Sequence, residues 1–118
     1  MTVNNSGRLA VYGADSVLKT KKLDVIGGST LDIRFGEEGF TPIDATGTVT
    51  FDATTKLTVD ARAHRVEGAV VKLLNYGALS GEIAPENITL LPAGTTIDFA
   101  DGKSISVKLP RCTVIVVR

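Results

Sequence analysis

Alternating apolar residues on either side of a short turn recur along this chain. The clearest copy has Leu23 and Val25 before Gly27-Gly28-Ser29, and Leu31 and Ile33 after it. Because successive side chains of a strand point to opposite faces, each half predicts a short β-strand with one apolar face. Further copies place apolar residues at positions 49, 51, 57 and 59, at 97, 99, 105 and 107, and, more weakly, at 9, 11 and 17. An all-β fold is therefore predicted.

The composition fits this prediction and bounds the domain organisation. The 118 residues are 43% hydrophobic, yet they include no Trp, one Met, two Tyr and four Phe, so the core must consist mainly of Val, Leu and Ile. The length is that of one ordinary domain. We predict a flexible N-terminal segment at 1–7 and a single all-β domain at 8–118, excised from a longer chain.

Two architectures are compatible with the spacing of the copies. The second copy begins at Leu23 and the third at Val49, an interval close to one turn of a solenoid, which favours a short right-handed parallel β-solenoid or its capping region. The first and second copies lie closer together than this, and the third and fourth lie much further apart, so the repeat is irregular. The alternative is an antiparallel β-sandwich built from hairpins. In the fourth copy, a three-residue loop at 101–103 would pair Ile97 with Val107 and keep all four apolar residues on one face.

Two longer apolar runs complete the strand predictions. The run at 68–76 predicts a central strand or one that is covered on both faces. The run at 112–117 predicts a final buried strand that caps the stack.

Charge and hydropathy narrow the classes of partner. Thirteen basic and thirteen acidic residues cancel and form no basic stripe, so nucleic acid is not an expected partner. No apolar run approaches the ~20 residues that span a bilayer, and membrane insertion by this segment is not expected. Residues 1–7 lack the features of a signal peptide. We therefore expect neighbouring domains of the same longer chain to be partners.

The candidate catalytic residues each have a simpler structural interpretation. His64 is the sole histidine and stands beside Arg62 and Arg65, whose charges would disfavour its protonation. The Glu37-Glu38 pair, with Asp44, has the residue types of a glycosidase, but a Gly-flanked loop is usually solvated. We interpret His64 as an ordinary exposed or half-buried residue and the two glutamates as a solvated loop.

Metal and cofactor sites are not indicated either. Cys112 is the only cysteine, so neither an internal disulfide nor a thiolate zinc site can form, and we interpret it as a core residue. Asp24 and Asp32 alternate with inward apolar residues and should therefore point outward. The glycine-rich repeat of calcium-binding β-rolls is absent, so we interpret these aspartates as solvated. The chain is not predicted to be an enzyme, and no catalytic, cofactor-binding or metal-binding residue is assigned.

Two stretches resemble the repeats of autotransporter-type bacterial surface proteins. Positions 3–11 read Val-Asn-Asn-Ser-Gly-Arg-Leu-Ala-Val, and positions 27–33 read Gly-Gly-Ser-Thr-Leu-Asp-Ile. They are similar to the Asn-x-Gly-x-Leu-x-Val and Gly-Gly-Thr-Leu patterns of those repeats. Positions 71–99 are similar to the end of the passenger region, where a Leu-Ser-Gly turn and a final pair of strands close the stack. The resemblance implies a right-handed parallel β-helix that is secreted or surface-displayed, often as an adhesin or stalk.

These observations lead to one functional prediction and one alternative. We predict a non-catalytic structural or adhesive module of a bacterial cell-surface or secreted protein, with a glycan or a host surface as candidate ligand. The alternative is a carbohydrate-binding β-sandwich module. Two tyrosines, Tyr12 and Tyr76, and no tryptophan make a poor stacking platform for sugars.

Overall fold

Strands account for nearly all of the regular structure in the computed structural model, which describes residues 1–15, 17–64, 66, 68–99 and 102–110. The all-β prediction is confirmed. The strands are β1 (Thr2–Val3), β2 (Arg8–Tyr12), β3 (Lys19–Thr20), β4 (Leu23–Val25), β5 (Thr30–Arg34), β6 (Ile43–Phe51), β7 (Lys56–Asp60), β8 (Val70–Ser80), β9 (Ile88–Leu91), β10 (Thr96–Asp98) and β11 (Ser104–Lys108), with one 3-10 turn at Pro85–Asn87. The strand predicted at 112–117 lies outside the described residues.

The strands form two sheets. Sheet A has the order β1-β4-β6-β8-β11-β10, and β3 pairs with β6 beside this path. Sheet B has the order β2-β5-β7-β9. All pairs in sheet B are parallel, as are the pairs of sheet A from β1 to β8, whereas β11 runs antiparallel to both β8 and β10. The chain therefore passes repeatedly from one sheet to the other, because β1, β4, β6 and β8 of sheet A are followed by β2, β5, β7 and β9 of sheet B.

The doublet at 23–33 is not a hairpin. Leu23 pairs with Val49 and Val25 pairs with Phe51 in a parallel register, and β5 pairs with β7 in the other sheet. The two halves of the doublet thus belong to different sheets. Their apolar residues still meet in one core, because the inward faces of both sheets pack together.

The two sheets advance along the chain in matching steps. The step from β1 to β4 in sheet A has the same length along the chain as the step from β2 to β5 in sheet B. The step from β4 to β6 likewise equals the step from β5 to β7, and both are longer than the first. The registers that define these steps are Thr2 with Asp24, Arg8 with Thr30, Leu23 with Val49, and Leu31 with Leu57. Each pass of the chain therefore adds one strand to each sheet.

The third step is longer again and nearly equal in the two sheets. Val49 of β6 pairs with Leu79 of β8, and Leu57 of β7 pairs with Ile88 of β9, so the step in sheet B exceeds that in sheet A by a single position. The register of β6 with β8 also shifts between Ala45 and Thr48. The passes thus remain aligned through the last parallel strand of each sheet.

This alignment corrects two of the four sequence copies. The weak copy at 9, 11 and 17 is out of phase, because Leu9 and Val11 pair with Leu31 and Ile33, while Val17 is 65% exposed. The copy at 97–107 does not continue the parallel series but forms the antiparallel β10–β11 hairpin. Its predicted register is confirmed, since Ile97 pairs with Val107. These two misaligned copies account for the shortest and the longest interval between the sequence copies, and the aligned steps themselves still lengthen from pass to pass.

Hydrogen bonds also join the turns of successive passes. The amide nitrogen of Ser6 donates to the carbonyl oxygen of Gly27 at 3.0 Å. The amide nitrogen of Gly27 donates in turn to Oδ2 of Asp52 at 2.9 Å. The side-chain amide of Asn87 donates to the carbonyl oxygen of Ala53 at 3.2 Å. Four consecutive turns are therefore stacked at one edge of the molecule.

Strand β1 lies at the edge of sheet A, whereas β8 lies inside it. Within the segment predicted to be flexible, Thr2–Val3 form β1, which pairs only with β4 among the described strands. The central strand predicted in the run at 68–76 is confirmed, because β8 pairs with β6 on one side and with β11 on the other. Leu73, Leu74 and Tyr76 are buried, whereas Val70 is 66% exposed, so β8 is not covered on both faces along its whole length.

Candidate binding site on the outer face of sheet B

The outward positions of sheet B form a grid of mainly polar side chains. Parallel pairing without a shift places equivalent residues of successive strands side by side. Three rows therefore cross the sheet: Arg8, Thr30 and Lys56; then Ala10, Asp32, Thr58 and Thr89; then Tyr12, Arg34, Asp60 and Leu91. Charged groups that are far apart in sequence become neighbours on this face.

Asp32 lies at the centre of the grid between two arginines. Nη2 of Arg8, on the neighbouring strand, donates a hydrogen bond to Oδ2 of Asp32. Nε of Arg34, two positions further along β5, lies 3.8 Å from the same oxygen. The side chains of Arg8 and Arg34 are 57% and 55% exposed, so both guanidinium groups extend over the carboxylate from solvent.

Asp32 itself is buried, which corrects the interpretation of a solvated aspartate. It points away from the apolar core as predicted, but the arginines of adjacent positions cover it, and the residue is only 3% exposed. Its second oxygen, Oδ1, has no hydrogen-bond partner among the described residues. A buried carboxylate oxygen without a donor is costly, so its presence at this position calls for an explanation.

A second ion pair stands beside the first. Nε and Nη2 of Arg62 donate to the two carboxylate oxygens of Asp60 at 2.9 and 2.8 Å, and the amide nitrogen of Arg62 adds a bond of 3.1 Å. The hydrogen bond from the Arg62 side chain lowers the pKa of Asp60, and the same bond raises the pKa of Arg62. Both groups face water, so the pair fixes the direction of the guanidinium more than it stabilises the fold.

These five charged side chains line an open groove. Together with Thr30, Thr58 and Leu91 they enclose about 360 Å³. Three arginines and two aspartates leave one net positive charge. A guanidinium has five N–H donors, and the ion pairs use only some of them, so the groove offers donors from arginine and acceptors from aspartate side by side. Such a lining is suited to a polar ligand that both accepts and donates hydrogen bonds.

His64 and the Glu37-Glu38 pair, the catalytic candidates from the sequence, lie close together. The contact is made by the backbone carbonyl of Glu37 and not by a carboxylate. Gly36 and Gly39 close the Glu37-Glu38 turn with hydrogen bonds of 2.9 and 3.0 Å between their backbones, and both glutamates are exposed. Nδ1 of His64 lies 2.9 Å from the carbonyl oxygen of Glu37. Since a carbonyl only accepts, Nδ1 carries the proton. The His64 ring also lies against Phe35, with 6.0 Å between ring centroids.

This arrangement explains His64 as a structural residue of the turn. Its imidazole is half-buried and holds the base of the loop through one hydrogen bond and one ring contact. Asp44 is not in this loop but in β6, where it pairs with Lys19 of β3 and Asn75 of β8. Cys112 and Arg65 lie outside the described residues.

The groove was missed in the sequence because its residues come from four passes of the chain, on or next to β2, β5, β7 and β9. A repeated pattern becomes visible once the strands of sheet B are aligned by structure. Arg34 follows Asp32, and Arg62 follows Asp60, at the same interval of two positions. The apolar alternation identified these positions as outward but carried no information on which charges would be neighbours.

The part of the chain that the structure describes contains neither a cluster of metal ligands nor a membrane-spanning helix. None of its His, Cys, Asp and Glu side chains form a group of three or more that could hold a metal ion. No helix among the described residues is long and apolar enough to cross a membrane.

No family of known proteins, no curated protein and no solved structure matches this chain.

Proposed function

We propose that this chain is a non-catalytic structural module of a bacterial cell-surface or secreted protein, built as a short right-handed parallel β-solenoid or the capping region of one. The observation that carries the proposal is the matching step of the two sheets, which is equal in both for the first pass and again for the second. In a solenoid each coil contributes one strand to each sheet, so the steps of the sheets must agree. Independent hairpins impose no such relation.

The stacked turns support the same architecture. The backbone of Gly27 bonds to the turn before it and to the turn after it, through Ser6 and Asp52. Contacts of this kind join each coil only to its neighbours, which is the mode of stabilisation of a repeat protein. The right hand of the solenoid follows from the general rule that parallel strands joined by a crossover are right-handed in about 98% of cases.

The β10–β11 hairpin supports a capping role for the C-terminal part. β11 pairs antiparallel with β8, on the side of β8 that faces away from β6. A parallel stack that ended at β8 would present a long row of unpaired backbone groups, which invites aggregation. Reversal of strand direction at this edge covers that row and does not offer a register for another parallel coil.

The surface location rests on the resemblance of positions 3–11 and 27–33 to autotransporter-type repeats. A rigid stack with a polar exterior is suited to hold neighbouring domains of the same chain apart, as a stalk, or to present an adhesive face. The carbohydrate-binding β-sandwich is the weaker alternative, because it would require β4 to pair antiparallel with β5, and β4 pairs instead with β6.

Surface labelling tests the proposal in the source bacterium. An epitope inserted between Glu37 and Glu38, which are both exposed, should leave the sheets intact. We expect an antibody to label intact cells or the secreted fraction. A cytosolic protein with the same epitope serves as control and should be labelled only after permeabilisation. Labelling of the module that also requires permeabilisation would contradict the proposed location.

A further inference from the structure

The groove on the outer face of sheet B has the features of a ligand site, and we propose that it binds a sugar unit that carries a carboxylate, of the uronic-acid type. This inference does not depend on the proposed function, because the groove is open on this face whether the chain is a stalk or a free domain. Its volume of about 360 Å³ is at the lower end of ligand pockets, about 300 to 1,000 Å³, and suits one or two sugar rings.

The arginines supply the recognition of the carboxylate. Asp32 holds the guanidinium of Arg8 by a hydrogen bond, and Asp60 holds that of Arg62 by two, so these donors are positioned before any ligand arrives. Arg34 approaches Asp32 only at 3.8 Å, beyond hydrogen-bond distance, so its guanidinium has the most donor capacity left for a ligand. An arginine and a carboxylate form a planar, two-bond pair, which favours a carboxylate over an isolated hydroxyl.

The aspartates supply the recognition of hydroxyl groups. Oδ1 of Asp32 is buried and has no donor among the described residues, while both arginines contact the other oxygen, Oδ2. A sugar hydroxyl that enters as Arg34 turns toward the ligand carboxylate would donate to this oxygen and satisfy it. The hydroxyls of Thr30 and Thr58 line the same groove and can both donate and accept.

The net charge and the lining of the groove favour a singly charged sugar over a phosphate dianion and over a neutral sugar. One net positive charge matches a monoanion, whereas the two aspartates would repel a phosphate dianion. The described residues that line the groove include no aromatic ring, so a neutral sugar would lack a stacking partner within it; Tyr12, beside Arg34 in the same row, is not part of this lining. A ligand with one carboxylate and several hydroxyls is the class that uses both kinds of group in the lining.

The test is an NMR titration of the intact chain with methyl glucuronide, its methyl ester and inorganic phosphate. The ester keeps the ring and the hydroxyls but removes the charge, so it isolates the contribution of the carboxylate. We expect amide shifts of β5 and β7 to change with the free acid, and the ester to bind at least about tenfold more weakly, since one charge-assisted hydrogen bond accounts for such a factor. Equal binding of acid and ester, absence of binding, or equal binding of phosphate would each overturn the proposal.

A pair of variants locates the site. Arg34→Ala removes an exposed side chain, so the fold should persist, and affinity for the free acid should fall by about tenfold or more. Lys72→Ala removes one exposed positive charge from β8 in the other sheet and should leave the affinity unchanged. An equal loss with both variants would show a general charge effect and would refute the site. Should Arg34→Ala unfold, Arg34→Lys keeps the charge, and its affinity should still fall because a lysine cannot form the two-bond pair.

Discussion

Asp52 joins two consecutive turns at the edge of the molecule. Its carboxylate accepts hydrogen bonds from the hydroxyl and the amide of Thr54, at 2.6 and 2.8 Å, and from the amide of Gly27 in the preceding pass, at 2.9 Å. These bonds favour the charged form and lower the pKa of Asp52 from 3.8 to about 2, with the bond from the Thr54 hydroxyl as the largest cause. A single side chain thus links its own turn to the turn of the preceding pass.

The lowered pKa predicts a pH dependence of stability with a definite sign. A carboxylate with a depressed pKa in the folded state contributes its stability above its ordinary value of 3.8, and this contribution is lost as the pH falls toward about 2. Thr54→Val should raise the pKa of Asp52 back toward 3.8, as measured by NMR of the carboxyl carbon. It should also flatten the acid side of the stability curve.

The matched control is Thr89→Val, which alters an exposed threonine of β9. We expect it to leave the pKa of Asp52 and the acid side of the curve unchanged. A pKa of Asp52 that does not respond to loss of the Thr54 hydroxyl would show that this hydrogen bond is not its main determinant.

Residue-scale prediction from the sequence succeeded for the core and failed for Asp32. Leu23, Leu31 and Val49 are buried as their alternation predicted. Asp32 was correctly placed on the outer face, but its burial depends on Arg8, which is distant in the chain and becomes a neighbour only through the parallel register. Alternation determines the face of a strand and not what covers that face.

At the scale of elements, Gly81 shows how tightly β8 and β6 approach. It follows β8 with a φ of +79°, and a Cβ at this position would overlap the carbonyl oxygen of Phe51 at the end of β6. Gly102, before β11, has a similar φ of +80° but nothing within 4 Å of such a Cβ. The two glycines therefore separate the cost of the backbone conformation from the cost of the close approach.

Alanine substitution at these two glycines should have unequal effects. Gly102→Ala should cost only the left-handed conformation, about 1 to 2 kcal/mol. Gly81→Ala should lower the free energy of unfolding by about 1 to 3 kcal/mol more, because the backbone of Phe51 cannot move aside as a flexible side chain would. Urea denaturation followed by circular dichroism measures both. Equal destabilisation by the two substitutions would contradict the close packing of β8 against the end of β6.

The pairing of strands was predictable from the sequence only in part. The antiparallel register of Ile97 with Val107 followed from the requirement that both apolar residues share a face. The sequence could not assign strands to sheets, because an apolar alternation looks the same in either sheet of a common core. Leu9 is an example of this ambiguity. Its place before the turn in the first copy matches that of Leu23 in the second copy, but Leu9 pairs with Leu31, which follows the turn of the second copy.

At the scale of the whole molecule, the two sheets stay aligned although the number of residues in each pass of the chain varies. The steps lengthen from one pass to the next, yet the two sheets stay aligned because the extra residues fall between strands or at a shift in register. One example is the stretch from Phe35 to Pro42, which contains the Glu37-Glu38 turn and lies between β5 and β6. The groove on sheet B is built instead from strands whose register does not shift.

The pairing partner of β4, measured by inter-strand nuclear Overhauser effects, tests the two-sheet arrangement most directly. We expect contacts between the backbones of Leu23 and Val49 and of Val25 and Phe51, in the pattern of a parallel pair. Contacts between the α-protons of 23–25 and those of 31–33, which mark an antiparallel hairpin, would contradict it and would favour a β-sandwich. The parallel pattern would support an arrangement in which each pass of the chain adds one strand to each of the two sheets.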